Sequence, residues 1–215
     1  PWLNSMRDQD VLEVGCGVGR WTRMLAANGN RVTAIDLSPT MIDETRTRLL
    51  EAGLDAELHV ADVASFDAGK QFDSVISVTV IQHVTDDSEF RQVFDQLARQ
   101  LKPGGRAVLL EAAPTDDVAR CDSPIFRARR LGAYTDALTD SGFRIDTITG
   151  VDPMPFKTWL LPYLRALPKA VGVALTALVT ALSLPLDLLL ARWLTRQSWH
   201  KLIVATRTGE PCRRT

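Results

Sequence analysis

Runs of apolar residues a few positions long alternate with stretches of helical spacing over most of the chain. Residues 11–14, Val-Leu-Glu-Val, form a short apolar run with one acid inside it and predict a buried strand. Residues 18–28 carry the helical period, and Gly29 ends it. A second strand is predicted over residues 31–36, closing on Asp36, and Ser38-Pro39 then opens a helix with serine as N-cap and proline in the first turn. Residues 54–60 predict a third strand. Residues 72–78 predict a fourth, almost wholly apolar as in a strand covered on both faces. Residues 86–101 place Phe90, Val93, Phe94, Leu97 and Leu101 on one helical stripe. Lys102-Pro103-Gly104-Gly105 is read as a break, followed by a strand over 106–111, a helix over 128–140 and a strand over 143–151. Strands separated by helices imply a doubly wound α/β sheet with right-handed crossovers.

The pattern changes after residue 155. Residues 155–194 are rich in leucine, alanine and proline, and residues 170–186 carry no charge. On a helix, Lys169, Gly172, Thr176, Thr180, Ser183 and Asp187 fall on one narrow polar face, and everything else is apolar. Such a helix is buried in protein or lipid, yet the uncharged run is short for a bilayer crossing of about twenty residues. Arg165, Lys169, Arg192 and Arg196 flank it as interfacial residues do. Residues 199–207 return to strand character, so residues 155–197 read as an insertion within one domain spanning 1–215. Peripheral membrane contact, a cap over an apolar substrate, a homodimer surface and plain core packing all remain open for it.

Composition narrows the partners. The 215 residues carry 25 basic and 26 acidic side chains, which disfavours a nucleic-acid partner held by bulk charge. Three cysteines without a CxxC pair point to a reducing, cytoplasmic setting and offer no metal site. The first strand begins about ten residues in, so the chain reads as clipped at its start.

Gly15, Gly17 and Gly19 alternate where the first strand turns into the first helix, the place where α/β folds bind nucleotides. A dinucleotide fingerprint needs its third glycine one position later, where Arg20 stands, and Glu13 would repel a pyrophosphate. An acid there suits a ligand carrying an ammonium group. Asp36, about twenty residues on, can accept from both hydroxyls of a ribose, and Asp62 can accept from an adenine amino group. The implied ligand is an adenine nucleoside with a cationic amino-acid tail and no phosphates.

These segments in order resemble the class I S-adenosylmethionine-dependent methyltransferases of the small-molecule branch. VLEVGCGVG resembles the family's first motif, VTAIDLS its second, ADVASF its third, FDSVISVTVIQHV its fourth and LKPGGRAVLLE the segment through its fifth strand. The resemblance implies a Rossmann-like seven-stranded sheet, six strands parallel and one antiparallel, with the apolar helical insertion before the last strand. It implies S-adenosyl-L-methionine as cofactor, with Glu13 facing the methionine amino group and Gly15 and Gly17 passing beside it. Asp36 and Leu37 would bind the ribose end, Asp62 and Val63 would flank the adenine, and Thr79 would close the amino-acid end.

His83, just past the fourth strand, is the candidate general base; its alternative is a hydrogen bond that merely holds the loop. His59 and His200, inside strands, are expected to pack, and Cys16 is expected to be small rather than nucleophilic. Arg127, Arg129 and Arg130 could meet an anionic acceptor or form a solvated face. Residues 77–80 read Ser-Val-Thr-Val, not the Asn-Pro-Pro-Tyr type of segment used on amino groups of DNA bases. The expected reaction is methyl transfer to a small, apolar or lipid-linked acceptor, with oxygen favoured. The competing readings are a nicotinamide-dependent oxidoreductase and a catalytically silent cofactor-binding adaptor.

Overall fold

The structure, a computed structural model, describes residues 5–115, 123–151, 163, 167–190 and 195–209. Its strands are β1 (Asp10–Val14), β2 (Arg31–Asp36), β3 (Glu57–Val60), β4 (Phe72–Val78), β5 (Leu101–Ala112), β6 (Phe143–Gly150) and β7 (His200–Arg207). The helices are α1 (Arg20–Ala27), α2 (Pro39–Glu51), α3 (Asp87–Gln100), α4 (Leu131–Asp140) and α5 (Lys169–Leu190). The strands form one sheet in the order β3-β2-β1-β4-β5-β7-β6. Only β7 runs against its neighbours, since it is antiparallel to both β5 and β6 while the other pairings are parallel. The expected six-plus-one sheet is therefore present, with α5 preceding its last strand.

Local chemistry accounts for most boundaries. Ser38 caps α2 by accepting from the Met41 amide at 3.4 Å, with Pro39 at the first turn. Asp86 caps α3 by accepting from the Ser88 and Glu89 amides. The stripe Phe90, Val93, Phe94 and Leu97 is buried in the main core with Leu12, Val75, Leu109, Tyr134 and Ile203. Phe90, Phe94 and Tyr134 meet edge to face, the favoured arrangement of aromatic quadrupoles.

Three expectations need correction. Residues 102–105 do not separate α3 from the next strand. β5 starts at Leu101, and its pairing with β4 jumps from Phe72↔Leu101 to Ser74↔Arg106, so the extra residues are absorbed as an irregularity in a continuous strand. The Lys102–Asp73 ion pair at 2.8 Å ties it down. β3 is shorter than expected, because the Leu54 amide turns back to the Leu49 carbonyl at 2.9 Å and finishes α2. On this edge strand His59 is not core. Its Nε2 meets Glu57 at 2.9 Å, on a half-exposed surface.

Of the polar stripe in α5, the burial of Gly172 and Thr176 is described. Gly172 is buried and Thr176 is half-buried, donating to the Gly172 carbonyl at 2.7 Å. Val173 and Leu178 are 63% and 54% exposed, and Val171 is exposed beside them. Among the described residues no helix is long and apolar enough to cross a membrane. Residues 155–162, 164–166 and 191–194 of the expected insertion, with the flanking Arg165 and Arg192, lie outside the described residues, as do Cys121 and Cys212.

Candidate active site

The carboxyl ends of β1, β2 and β4 surround a cavity of about 500 Å³ at the point where the strand order reverses. That volume lies within the range of small-molecule sites. Gly15, Gly17, Asp36, Leu37, Asp62, Val63, Thr79 and His83 all line it. Arg20, Trp21, Val80, Val84 and Glu89 complete much of the wall, and none of these five had been assigned a binding role from sequence.

The loop after β1 is held from below. The Gly15 and Cys16 amides both donate to the Ile35 carbonyl, at 2.8 and 3.0 Å. The Gly17 amide donates to Asp36 Oδ2 at 2.9 Å, and Thr45 Oγ1 donates to the Gly17 carbonyl at 2.8 Å. Gly15 and Gly17 both adopt left-handed φ, +69° and +52°. A Cβ on Gly17 would meet nothing within 4 Å, so that position opens onto the cavity. Cys16 is buried, and burial pushes its thiol up to about 12, which leaves it inert as a nucleophile.

Asp36 has two duties. Besides holding Gly17, its Oδ1 accepts from the Ser38 amide at 2.9 Å. Each carboxylate oxygen keeps a second lone pair, so the side chain can still receive ribose hydroxyls. Asp62 shapes its own turn, with Oδ1 accepting from the Ala64 amide at 2.8 Å and its carbonyl from Phe66. Thr79 sits at φ +58°, strained for a β-branched residue, and is pinned by its amide to Leu110 at 2.7 Å.

Glu13 stands apart. It does not line the cavity but lies beneath it, 2% exposed, with neither carboxylate oxygen hydrogen-bonded. Burial, reinforced by the Asp36 charge and partly offset by Thr22, pushes its carboxyl up to about 7. A carboxyl raised in the folded state favours folding fully below its unfolded pKa and loses that contribution as pH climbs through the folded one. Acidification from about pH 7 to pH 4.5 should therefore stabilise the protein relative to Glu13→Gln by about 3 kcal/mol. Chemical denaturation of both proteins across that window measures it. A wild-type profile parallel to the variant's would remove the orphan-carboxylate assignment.

His83 ends a single 3₁₀ turn, Ile81–His83, and its Nδ1 lies 2.6 Å from the Ile125 carbonyl. A carbonyl only accepts, so in the neutral ring the proton sits on Nδ1 and Nε2 holds the lone pair. The segment carrying Ile125 is fastened by the arginines. Arg129, 5% exposed, donates to the Val84, Thr85 and Asp86 carbonyls and to Asp87, with its guanidinium 4.1 Å above the Phe90 ring. Arg127 bonds the Thr85 carbonyl and Asp87. Arg127 and Arg129 are thus neither a solvated face nor an anion site; they strap residues 123–130 to the turn after β4.

Residues 11–105 match a family model described as a methyltransferase domain. This part of the chain is similar in sequence to the class I S-adenosylmethionine-dependent methyltransferases, and the fold is theirs. It is 36% identical over 99 residues to nodulation protein S of Rhizobium tropici, a stretch covering 46% of this chain and 41% of that one. It is 37% identical over 98 residues to a ubiquinone biosynthesis O-methyltransferase of Xylella fastidiosa, covering 45% and 39%. The matched part thus spans about two fifths of these curated relatives' length. The fold extends further. The N-methyltransferase NodS of Bradyrhizobium japonicum, solved with S-adenosyl-L-homocysteine, superposes with a TM-score of 0.61 at 18% identity, covering 97% of this chain and 82% of that one.

S-adenosylmethionine is the cofactor of such methyltransferases, and the residues present here fit it. The orphaned buried Glu13 can answer an ammonium, Gly17 leaves room for close approach, and Asp36 keeps lone pairs for a ribose. A further residue missed from sequence is Glu111. An acid in the apolar run of residues 107–113 carried the same signal that singled out Glu13, a charge where a strand should be buried.

Proposed function

We propose that the protein transfers a methyl group from S-adenosylmethionine to a hydroxyl of a small, apolar or lipid-linked acceptor, with His83 as general base. The bound cofactor supplies an already activated methyl group, so the chain's own work is positioning and proton removal. Asp36 and Leu37 hold the ribose end, Asp62 and Val63 border the adenine, and Glu13 balances the charge of the amino-acid end from below. Thr79 and the Gly15–Gly17 loop fix the depth at which the cofactor lies. Nε2 of His83 takes the acceptor's proton as the oxygen becomes a nucleophile, while Nδ1 keeps its bond to Ile125. The observation that carries this reading is the fixed tautomer of His83 at the cavity wall. A hydroxyl needs such a base more than a neutral amine does, since the amine can lose its proton after transfer. Among the relatives, the ubiquinone O-methyltransferase supports oxygen and NodS supports nitrogen.

The apolar exposure of α5 supports the lipid side of the proposal. Val171, Val173 and Leu178 face outward where a soluble helix would show its polar stripe, and basic residues flank the segment in sequence. The outward face is read as lying on an anionic bilayer, from which a lipid-linked acceptor would enter. One experiment addresses both parts. The protein is incubated with S-adenosylmethionine and a panel of apolar phenols and amines, with and without anionic liposomes, and S-adenosylhomocysteine release is followed. Release with phenols, raised by liposomes with which the protein floats, is expected. Turnover of amines alone overturns the oxygen assignment, and absence of flotation overturns the membrane one.

A further inference from the structure

Glu111 is fully buried near the end of β5, and its carboxylate collects four hydrogen bonds from one short segment. Oε1 accepts from Ser77 Oγ at 2.8 Å, the Val80 amide at 3.1 Å and the Ile81 amide at 3.2 Å; Oε2 accepts from the Gln82 amide at 3.2 Å. All four donors belong to the end of β4 and the turn that follows it. Every partner donates, which suits the acceptor oxygens of a carboxylate. Burial alone pushes this carboxyl up, against the pull of the four donors. Lys201, its register partner on β7, is also buried and gives its ammonium to the Ser198 carbonyl.

A buried carboxylate is a costly way to finish an apolar strand, so what it holds is the informative part. The turn it gathers begins at strained Thr79 and ends at His83. Gln82 extends the same network, its Oε1 accepting from the Ala112 amide at 3.0 Å and its carbonyl from the Arg127 amide at 2.9 Å. Both ends of the His83–Ile125 hydrogen bond are therefore referenced to this one segment. His83 is carried on the turn itself, and Ile125 lies two residues before the anchored Arg127.

We infer that Glu111 is a positioning residue for His83: by holding the 80–82 amides it presents the imidazole to the cavity with its proton on Nδ1. The inference rests on the reading of His83 as base. It gives the fifth strand a part in the chemistry although its acid never reaches the acceptor.

The test does not need the acceptor. Long-range nitrogen–proton NMR spectra of the histidine rings are recorded for wild type and Glu111→Gln, with the His83 signal assigned through its loss in His83→Gln. Binding of S-adenosylhomocysteine is measured alongside by calorimetry. The wild type should show the Nδ1–H pattern at His83, and Glu111→Gln should lose it toward the mixture of an unrestrained ring. If the amide variant does not fold, Glu111→Asp keeps the charge, shortens its reach and should cause the same loss. An unchanged Nδ1–H pattern in a folded variant overturns the inference, even if melting temperature falls, since a purely structural acid would act on stability alone. Wild type that fails to bind S-adenosylhomocysteine removes the cofactor reading beneath it. Wild type that binds it but lacks the Nδ1–H pattern removes the oriented base and the inference together.

Discussion

His83→Ala should lower turnover of a hydroxyl acceptor by about 10²–10⁴-fold, the usual contribution of a positioned base. The affinity for S-adenosylhomocysteine should barely move, because the ring stands on the cavity wall and the glycine loop and Asp36 are untouched. Stability should fall only by about 0.5–1.5 kcal/mol, the net worth of the lost bond to Ile125. The two roles of the histidine thus separate by size. A base shows as a large loss of kcat with a small loss of melting temperature, and a loop fastener shows as the reverse. Steady-state kinetics together with thermal unfolding decide, and near-normal turnover in the alanine variant would reject the base.

Gly15→Ala and Gly17→Ala should fail in different ways. A Cβ on Gly15 would stand 2.3 Å from Val80 Cγ2, at a φ of +69°. The left-handed backbone costs about 1–2 kcal/mol for alanine, and the overpacking about 1–3 kcal/mol more, so a destabilisation of about 2–5 kcal/mol is expected. Val80→Ala in the same chain should restore the packing part, because the clash lies with its side chain. Gly17→Ala carries only the backbone cost, since nothing lies within 4 Å of its Cβ. Its damage should fall on cofactor affinity, because the added methyl occupies the wall the cofactor must approach. Denaturation and calorimetry on the three variants separate the effects, and equal stability losses for the two glycines would contradict the assignment.

What the sequence made legible was whatever follows from short-range pattern. β2 and β4 fall where the apolar runs begin and end, and the caps Ser38 and Asp86 mark helices by their own side-chain chemistry. The residues around the cavity were readable because strand ends converge there by topology, whatever the side chains do. Strand register was not readable. Whether residues 102–105 break a strand or swell it depends on what β4 offers across the gap, including Asp73. The arginines were misjudged for a similar reason, because their partners lie more than forty residues away on the turn after β4. Glu111 carried the signal of an acid in an apolar run, but its role hid because three of its four partners are main-chain amides, which leave no trace in side-chain composition.

The reversed direction of β7 has a consequence for how such a protein can change. β6 runs out to the carboxyl edge, and β7 starts back from that same edge, with the Val151 amide bonded to the His200 carbonyl at 3.1 Å. Entry and exit of the intervening segment are therefore neighbours, and its length is free of any register in the sheet. It behaves as a cartridge clipped onto a fixed mount. One cartridge can be exchanged for another while β1, β2 and β4 go on framing the same cavity. Variation can then accumulate in this one stretch without renegotiating the core.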